Sequence, residues 1–496
     1  MPKTVLSVAG PAALTLLLGL WGIRREDSMW RDEAATWMAA HRTIPDLCHL
    51  TGEADVVHGL YYLLMHGVFA VCGDSLLTLR LPSVLAMAGA AATTAALGRR
   101  LAGDRAGLAS GIAFAILPST QHYAQEGRSY ALVVAAVAVG TCMLVTLAWD
   151  GGTGRAGVRR WTAYVGAMLT AGLLNWFSLL ALCAHAVTVL MAHRRGAPHL
   201  LTRWSTAAAT VVLGALPLIV VSRSQAQQVA WIRPLTWSTA LVPLLLPALG
   251  LVCGRLLTRR GRPTGAASAT ATPVPAGTAA TSPTATTVTV GLPLLVAPVL
   301  GLLLVSLVKP LYIDRYVLYA NVGLGVLVGT AACALVRTRR GLTTLVLAAS
   351  AALLPLQLAL RAPQSRVDDV LAPAEAVARA ARPGDGVLFI PSLRRDTAEV
   401  SPTSFAGLDD LALARTPTAS GTLQGRESTP RRIRRAMLGK HRILVVTDPE
   451  GRPSTARDTV KRQVLAAHFT RCADTEVRGR RIQTYERGTG CSPPAR

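Results

Sequence analysis

Residues 5–37 read VLSVAGPAALTLLLGLWGIRREDSMWRDEAATW, an apolar run followed by an Asp-Glu pair between two tryptophans. The run from Val5 to Trp21 is long enough to cross a bilayer, which takes about 20 apolar residues. The next long apolar run begins only at Leu76, so a loop at about 23–75 follows the first span. Loops of this length are usually functional or disordered. The apolar patch at 59–72 and the aromatic residues of the loop predict that it is ordered.

The composition is typical of a polytopic membrane protein. Of the 496 residues, 51% are hydrophobic and 16% are charged, and the mean hydropathy is +0.39. A net charge of +24 would suggest a nucleic-acid partner in a soluble protein. Here the basic residues fall in the loops between apolar segments, so they indicate membrane topology and no nucleic-acid partner is expected. The eight cysteines show no C-x-x-C spacing of the kind that binds metals.

Apolar segments predict about eleven transmembrane helices. They lie at about 5–22, 76–98, 105–120, 129–149, 161–174, 176–192, 204–222, 237–257, 288–308, 315–336 and 341–360. The first segment also fits a signal peptide, but Trp21 and Arg24-Arg25 are poor cleavage-site chemistry, which favours an uncleaved span. Residues 261–287, rich in Thr, Ala, Pro and Gly, predict a disordered linker.

Alternate loops are rich in arginine, and this asymmetry predicts the orientation. The arginine-rich loops lie at 99–105, 155–160, 194–203, 255–262 and 337–340 and are expected in the cytoplasm, together with the linker. Of the twelve Asp and Glu residues before Arg361, only Asp104 and Asp150 fall on that side. The loop at 23–75 and the carboxyl-terminal region are therefore expected on the extracytoplasmic side of the cell membrane.

Hydrophobicity drops from residue 362 onward, so residues 1–361 are expected to form the transmembrane domain and residues 362–496 a small exported α/β domain. The patterns predict helices at 373–381 and 454–469, buried strands at 386–391 and 441–448, and a terminal strand or hairpin at 477–486.

Four cysteines lie in the regions expected outside the cell. An oxidising compartment would allow a disulfide between Cys472 and Cys491, and Cys48 and Cys72 raise the same question. Free thiols are the alternative in each case, because the sequence does not give the distances.

Three motifs place charged residues beside Tyr or Trp at the expected outer edge of the membrane. They are WRDEAATW (30–37), YAQEGRSYAL (123–132) and KPLYIDRYVLY (309–319). Each alone also fits an interfacial belt with snorkelling charges. Together they offer Asp32, a carboxylate that can take a proton from a hydroxyl, and cations that can hold a phosphate. The combination predicts an enzyme that moves a group from a lipid phosphate.

Five segments together resemble the polyprenyl-phosphate-sugar-dependent glycosyltransferases of the GT-C superfamily, and within it the bacterial family 39 mannosyltransferase-like proteins. The segments are WRDEAATW, HGLYYLLMHGVFAVCGDSLLTLRLPSVL (58–85), GRRLAGDRAGL (98–108), YAQEGRSYALV (123–133) and DRYVLY (314–319). The resemblance covers residues 1–150 well and the later spans loosely. It implies a GT-C-like fold whose first outer loop carries the catalytic motif.

The resemblance also implies roles for individual residues. Asp32 would be the catalytic base and Arg315 would bind the donor phosphate. Glu33 would shape the site, contact the sugar or ligate a divalent cation, Mg²⁺ or Mn²⁺, if one is used. The other expected substrate-binding residues are His58, Tyr61, Tyr62, Gln125, Glu126, Arg128, Tyr130, Lys309 and Tyr316.

One departure from the family pattern concerns the residues after His58. Relatives commonly have His-Pro-Pro ahead of the Tyr pair, whereas Gly59-Leu60 stands here. Because Pro would fix φ and Gly frees it, the departure is expected to affect acceptor binding or loop rigidity.

The implied function is transfer of a hexose, mannose or a related sugar, from a polyprenyl-phosphate donor to an extracytoplasmic hydroxyl, with inversion. Its partners would be that donor, membrane lipid and a protein or glycan acceptor. A transporter or flippase of lipid-linked glycans is one alternative, but it would need charges or broken helices at the membrane midplane. A catalytically inactive cell-envelope scaffold is another, and the presence of Asp32, Glu33 and Arg315 weighs against it.

Overall fold

A computed structural model of the chain describes residues 2–150, 154–229, 232–260, 283–366, 368–449, 455–488 and 490–491. Contacts divide the chain into two compact units. The helical unit comprises Met1–Trp21 and Arg80–Leu360, and the mixed unit comprises Gly22–Leu79 and Arg361–Arg496. The sequence predicts a boundary near 361, and the contacts in addition group the loop after the first helix with the carboxyl-terminal region.

Each of the eleven predicted apolar segments is helical. The helices are Pro2–Leu20, Leu76–Ala102, Asp104–Ile116, Tyr130–Asp150, Gly154–Leu174, Leu180–His193, Pro198–Ser224, Trp237–Arg260, Pro283–Val308, Ala320–Leu335 and Arg339–Ala359. The helix that starts at Pro283 includes the last residues of the predicted linker, whose residues 261–282 lie outside the described part of the chain.

Seven helices of the described chain are long and apolar enough to cross a membrane. The apolar stretches of these helices are Leu76–Ala102, Tyr130–Asp150, Trp176–His193, His199–Ser224, Trp237–Arg260, Ala285–Val308 and Arg339–Ala359. The third of them includes the 3-10 turn Trp176–Leu179 that precedes the Leu180–His193 helix. Val5–Leu20 and Ala320–Leu335 are apolar but shorter. Many leucines and valines of these helices are exposed, as lipid-facing side chains would be. The prediction of a polytopic α-helical membrane protein is confirmed.

Small residues let helices of the helical unit approach closely. A Cβ at Gly329, in the Ala320–Leu335 helix, would collide with the backbone of Ser110 in the Asp104–Ile116 helix. A Cβ at Gly323 would likewise meet the carbonyl oxygen of Gly291. Glycine at these positions removes the steric barrier to close backbone contact, which is how membrane helices gain packing energy.

The loop after the first helix is ordered in the mixed unit and contains three helices, Arg31–Ala40, Ile44–Glu53 and Gly59–Cys72. Thr43 caps the second helix, its hydroxyl accepting a hydrogen bond from the Asp46 amide at 3.3 Å. The ring of Trp37 packs edge-on against Phe69 at 5.3 Å between centroids, joining the first helix to the third. The predicted order of this loop is confirmed.

The carboxyl-terminal region is a small α/β fold. Its strands are β1 (Gly386–Ile390), β2 (Asp409–Asp410), β3 (Leu413–Arg415), β4 (Arg426–Glu427), β5 (Arg442–Thr447), β6 (Phe469–Val477) and β7 (Arg480–Arg487). The main sheet has the strand order β2-β1-β5-β7-β6. Strand β1 pairs in parallel with β2 and β5, whereas β7 is antiparallel to both β5 and β6. Strands β3 and β4 form a separate antiparallel pair.

Both faces of the sheet are buried, which explains the unbroken apolar runs of β1 and β5. Leu388 and Ile390 of β1 pack on one face, whereas Val387 and Phe389 pack on the other. The helices of the region are Leu371–Ala380, Asp396–Val400, Pro417–Ser420, Pro430–Leu438 and Ala456–His468. The predicted small α/β domain is therefore confirmed. Its Cys472 and Cys491 form a disulfide, while Cys48 and Cys72 are free.

Candidate active site

Asp32 and Glu33 occupy the first turn of the Arg31–Ala40 helix in the mixed unit. Carboxylates are favoured there because unpaired backbone N–H groups and the helix dipole make a helix start electropositive. The Asp32 side chain is 16% exposed, and its Oδ1 lies 3.9 Å from Nε of Arg31. The Asp32 carboxylate is thus partly exposed, so a molecule outside the fold can reach it.

Glu33 is in a different environment, although it is the next residue. Its side chain is 0% exposed and forms an ion pair with Arg25, which is 1% exposed. The Nη2 group of Arg25 donates to both carboxylate oxygens at 3.3 Å. Arg25 itself lies in a left-handed conformation with φ of 47°. Glu33 is therefore held inside the fold by a buried counter-ion.

The two tyrosines of the predicted motif are also interior residues, since Tyr61 and Tyr62 are both 0% exposed. The Tyr62 hydroxyl donates to Oδ2 of Asp55 at 2.8 Å. Asp55 has φ of 58°, a left-handed conformation that this hydrogen bond helps to stabilise. The ring of His58 lies 6.0 Å from that of Tyr62. Together these contacts fix the start of the Gly59–Cys72 helix.

Gly59 does not use the conformational freedom of glycine. Its φ of −54° is an ordinary helical value, and its N–H donates to the carbonyl of Val56. A Cβ at this position would lie 3.0 Å from Cγ2 of Thr51. The tight space beside Thr51 therefore favours glycine here, and the backbone hydrogen bond disfavours proline.

The far end of the Arg31–Ala40 helix is tied to the end of the loop by His41 and Asp74. Nε2 of His41 lies 2.8 Å from Oδ2 of Asp74, and Nδ1 of His41 lies 2.8 Å from the carbonyl oxygen of Trp37. The hydrogen bond from His41 lowers the pKa of Asp74 below its usual value. The interaction is solvent-exposed, so salt and pH will modulate it.

The motif at 123–130 lies in the helical unit, between the Pro118–Ala124 and Tyr130–Asp150 helices. Gln125 donates its side-chain amide to the carbonyl oxygens of Gly19 and Trp21, at 2.9 and 2.7 Å. The hydroxyl of Ser83 donates to the carbonyl oxygens of Glu126 and Arg128, at 2.6 and 3.2 Å. These bonds hold the turn against the first helix and the Leu76–Ala102 helix.

Most of the charged and polar side chains of this turn are buried. Gln125, Glu126 and Arg128 are 3%, 1% and 5% exposed. Nε2 of His122 lies 4.0 Å from Oε2 of Glu126. A buried acid, a buried arginine and a histidine in one turn are costly unless they serve structure or a ligand.

The structure brings the motif at 123–130 against the motif at 314–316, within the helical unit. The Tyr123 hydroxyl donates to both carboxylate oxygens of Asp314 at 3.2 Å. The guanidinium carbon of Arg315 lies 5.4 Å from the ring centroid of Tyr130, a cation–π geometry. Tyr130 and Tyr316 lie 6.3 Å apart. Two segments far apart in sequence thus form one aromatic and basic cluster, which we call the Arg315 cluster.

Aromatic stacking extends the cluster to the segment at 176–177. Tyr316 stacks on Phe177 with 4.7 Å between centroids and an interplanar angle of 10°, and Phe177 stacks on Trp176 at 4.0 Å. Oδ1 of Asn175 accepts a hydrogen bond from the Phe177 amide at 3.1 Å. The stack orients Tyr316 and leaves the Arg315 guanidinium on the side of Tyr130.

Lys309 lines a different feature, a cavity of about 390 Å³. The other lining residues are Arg223, Ser224, Ala226, Gln227, Ile232 and Pro310. Neither Lys309 nor Arg223 forms an ion pair or side-chain hydrogen bond with another residue that the structure describes. Two such cations beside one cavity favour an anionic ligand. The sequence predicts that Arg223 lies in an outward loop. It gives no signal that Arg223 lines a cavity together with Lys309, because the two residues are distant along the chain.

The donor set for a metal ion is poor. Within the described residues, no three or more His, Cys, Asp and Glu side chains come together in a way that could hold a metal. The carboxylate of Glu33, the residue expected to ligate a divalent cation, instead forms an ion pair with the Arg25 guanidinium. The described residues therefore do not fit a divalent-cation site at this motif.

Comparison with known proteins shows what the fold resembles. No protein-family model and no curated protein matches the chain. The solved structure of ArnT from Cupriavidus metallidurans in the apo state matches with a TM-score of 0.63 at 11% sequence identity, covering 96% of this chain and 97% of ArnT. This chain therefore shares the fold of ArnT, in agreement with the predicted GT-C-like fold.

A second ArnT structure agrees with the first. ArnT from Cupriavidus metallidurans bound to undecaprenyl phosphate matches with a TM-score of 0.54 at 13% identity, covering 97% of this chain and 98% of ArnT. This match likewise covers nearly the whole chain. Identity this low shows the fold and carries no residue roles from ArnT to this protein.

Proposed function

We propose that the protein is a membrane glycosyltransferase that moves a hexose, mannose or a close relative, from a polyprenyl monophosphate to an extracytoplasmic hydroxyl. The GT-C fold supports this reaction class, and ArnT, which shares the fold, binds undecaprenyl phosphate. The observation that carries the proposal is the contrast between Asp32 and Glu33. Asp32 is partly exposed at a helix start, while Glu33 is fully buried and paired with Arg25.

Asp32 is the proposed general base. In this reaction the acceptor oxygen attacks the anomeric carbon while the bond from that carbon to the phosphate oxygen breaks, so the configuration inverts. Asp32 takes the hydroxyl proton, and the electron pair of the broken bond leaves with the polyprenyl phosphate. A positioned general base contributes about 10²–10⁴-fold in rate. Glu33 supports the first turn of the helix from inside the fold.

Arg315, Arg128 and Lys309 are the proposed phosphate-binding cations. The leaving phosphate gains negative charge as the bond breaks, and guanidinium groups match its oxygens in a bidentate way. Stacking on Tyr130 fixes the direction of the Arg315 guanidinium. Lys309, with Arg223, offers a second pair of positive charges at the 390 Å³ cavity. Tyr130 and Tyr316 supply the apolar walls that a lipid-linked sugar needs.

The other residues of the predicted site are proposed to shape it. Gln125 and Glu126 hold the turn that carries Arg128, because Gln125 anchors to backbone carbonyls and Glu126 is buried in the same turn. His58, Tyr61 and Tyr62 hold the loop helix that packs beside the Arg31–Ala40 helix. In this proposal they affect sugar binding through loop geometry.

The proposed orientation places Asp32 and the sheet region outside the cytoplasm. The arginine asymmetry of the loops supports it. The disulfide between Cys472 and Cys491 supports it as well, because disulfides persist in oxidising compartments. Labelling a cysteine introduced at position 32 with a membrane-impermeant reagent tests this orientation, in a background where the free Cys48 and Cys72 are replaced by serine. Protection from the reagent in intact cells would contradict it.

The function is tested by transfer of labelled sugar from synthetic polyprenyl-phosphate donors in membranes that contain the protein. Donors carrying mannose, other hexoses and a pentose should be compared, and transfer from a hexose donor is expected. Asp32→Asn should abolish most transfer, whereas Asp27→Asn, a change at a carboxylate that is 62% exposed, should not. A chelator is expected to leave transfer unchanged, since Arg25 occupies Glu33. No transfer from any donor would favour a transporter or an inactive scaffold.

A further inference from the structure

The segment just before the Arg31–Ala40 helix is held by the carboxyl-terminal part of the mixed unit. Trp30 forms an antiparallel bridge with Asp369. The Val370 amide donates to the carbonyl of Met29 at 2.8 Å. The Arg31 amide, at the first helical position, donates to the carbonyl of Asp368 at 3.1 Å. Residues 29–31 therefore lie beside residues 368–370 as if in a short two-stranded ladder.

This pairing satisfies the start of the helix that carries Asp32. The first N–H groups of a helix have no partner within the helix and need one elsewhere. Trp30 is the N-cap residue, and its side chain makes no cap hydrogen bond. The Asp368 carbonyl takes the N–H of Arg31 instead. The residue immediately before Asp32 is thus fixed by a group from the distant end of the chain.

The Asp369 side chain strengthens the same junction. It is 1% exposed, and its Oδ1 accepts hydrogen bonds from the amides of Met29 and Leu371, both at 3.0 Å. Its Oδ2 accepts from Nη1 of Arg478 at 3.2 Å. Arg478 belongs to the turn between β6 and β7, so one carboxylate joins the loop, the following helix and the sheet. A buried carboxylate with three donors is a strong and specific anchor.

Asp368 adds a charged link in the same place. Its carboxylate lies 3.6 Å from Nη1 of Arg31, 3.2 Å from Nη1 of Arg394 and 3.7 Å from Nε of Arg480. Arg480 also pairs with Asp396, and both of those side chains are buried. The network ties Arg31, the neighbour of Asp32, to the core of the sheet region.

We propose that Asp369 is a positioning residue that sets the place of the Asp32 carboxylate, and that holding this motif is a function of the carboxyl-terminal domain. The inference rests on the proposed role of Asp32. A base must lie within hydrogen-bond reach of the proton that it takes, and a displacement of about 1 Å can cost about 100-fold in rate. Asp369 does not touch the substrate in this account. It acts by fixing the backbone from Met29 to Arg31.

The test uses the full-length protein and the variants Asp369→Ala and Asp369→Asn. Asp369→Ala removes all three acceptor contacts, so we expect kcat to fall about 10- to 100-fold while the KM for the donor stays within about twofold. Asp369→Asn keeps one oxygen for the Met29 and Leu371 amides, so its kcat should lie between those of Asp369→Ala and wild type. Asp474→Asn is the matched control, because Asp474 pairs only with tail residues, Arg471, Arg481 and Gln483, among the described contacts.

Amide hydrogen exchange gives a readout that needs no turnover. Asp369→Ala should speed exchange at residues 29–35, whereas Asp474→Asn should not. Wild-type kcat together with unchanged exchange in Asp369→Ala would overturn the inference. An equal loss of kcat in Asp474→Asn would also overturn it, since the effect would then be general destabilisation. Equal transfer by wild type and Asp32→Asn would refute the proposed function instead, and the exchange result would still decide whether Asp369 holds the motif.

Discussion

The buried ion pair between Arg25 and Glu33 places two adjacent carboxylates, Asp32 and Glu33, in different environments. Nη2 of Arg25 lies 3.3 Å from both oxygens of Glu33, and the two side chains are 1% and 0% exposed. Glu33→Gln keeps the shape but leaves the guanidinium charge buried without its counter-ion. Breaking a buried pair in this way costs about 3–5 kcal/mol. We therefore expect Glu33→Gln to lower the free energy of unfolding by about that amount.

Asp32→Asn should behave in the opposite way. Its side chain keeps 16% exposure and lies 3.9 Å from the Arg31 Nε, a distance at the limit of an ion pair. Neutralising a carboxylate at a helix start is expected to lower the free energy of unfolding by about 0.3–1 kcal/mol, less than the loss expected at Glu33. Asp32→Asn should thus lose transfer activity while remaining folded, and Glu33→Gln should lose stability.

The assay is thermal unfolding of the purified protein in detergent, with wild type, Asp32→Asn, Glu33→Gln and the double variant Arg25→Leu with Glu33→Leu. Replacing both partners of a buried pair with apolar residues is often neutral, so the double variant should recover much of the lost stability. A wild-type unfolding temperature for Glu33→Gln, together with a lower one for Asp32→Asn, would refute this assignment of the buried pair.

Three further predictions concern other parts of the chain. Gly329→Ala should destabilise the protein by about 1–3 kcal/mol through overpacking, which would be measured as a lower unfolding temperature. Gly89→Ala is the control, because a Cβ at Gly89 meets open space and should leave the unfolding temperature unchanged. Equal effects of the two substitutions would contradict this packing. Because its folded pKa is lowered, Asp74 stabilises the fold above its unfolded pKa of about 3.9, and this contribution disappears as pH falls through the folded value. The unfolding temperatures of wild type and Asp74→Asn should therefore converge in acid, and a constant difference would argue against the interaction. Lys309→Gln should raise the KM for a polyprenyl-phosphate donor about tenfold. Arg233→Gln is the control, because Arg233 is exposed and does not line the cavity, so its KM should stay at the wild-type value. An unchanged KM in both variants would show that Lys309 does not bind the donor.

The helices of the fold follow from the sequence because long apolar runs carry their own signal. The segment predicted at 129–149 is the Tyr130–Asp150 helix, and the buried strand predicted at 386–391 is β1, Gly386–Ile390. In both cases local composition decides the structure, since a bilayer or a two-sided sheet core demands continuous hydrophobicity. Strand β6, with charged residues along its length, gives a weaker signal and is missed by the pattern.

The sequence predicts only part of the candidate site. The motif residues Asp32, Arg128 and Arg315 are visible because charges beside aromatic residues are unusual in an apolar chain. The burial of Glu33 against Arg25 is not visible, since neither spacing nor residue type reveals which of two adjacent acids points inward. The contact of Met29 with Asp369 spans 340 residues and leaves no local pattern. Long-range pairing of this kind is decided by tertiary packing.

The measurement that tests the account most directly is the rate of sugar transfer by purified wild type and Asp32→Asn, from a polyprenyl-phosphate hexose at saturating donor. Folding of both proteins should be verified by their unfolding temperatures. Asp32→Asn is expected to be slower by about 10²–10⁴-fold, with donor binding unchanged. Equal transfer rates in the two proteins would contradict it.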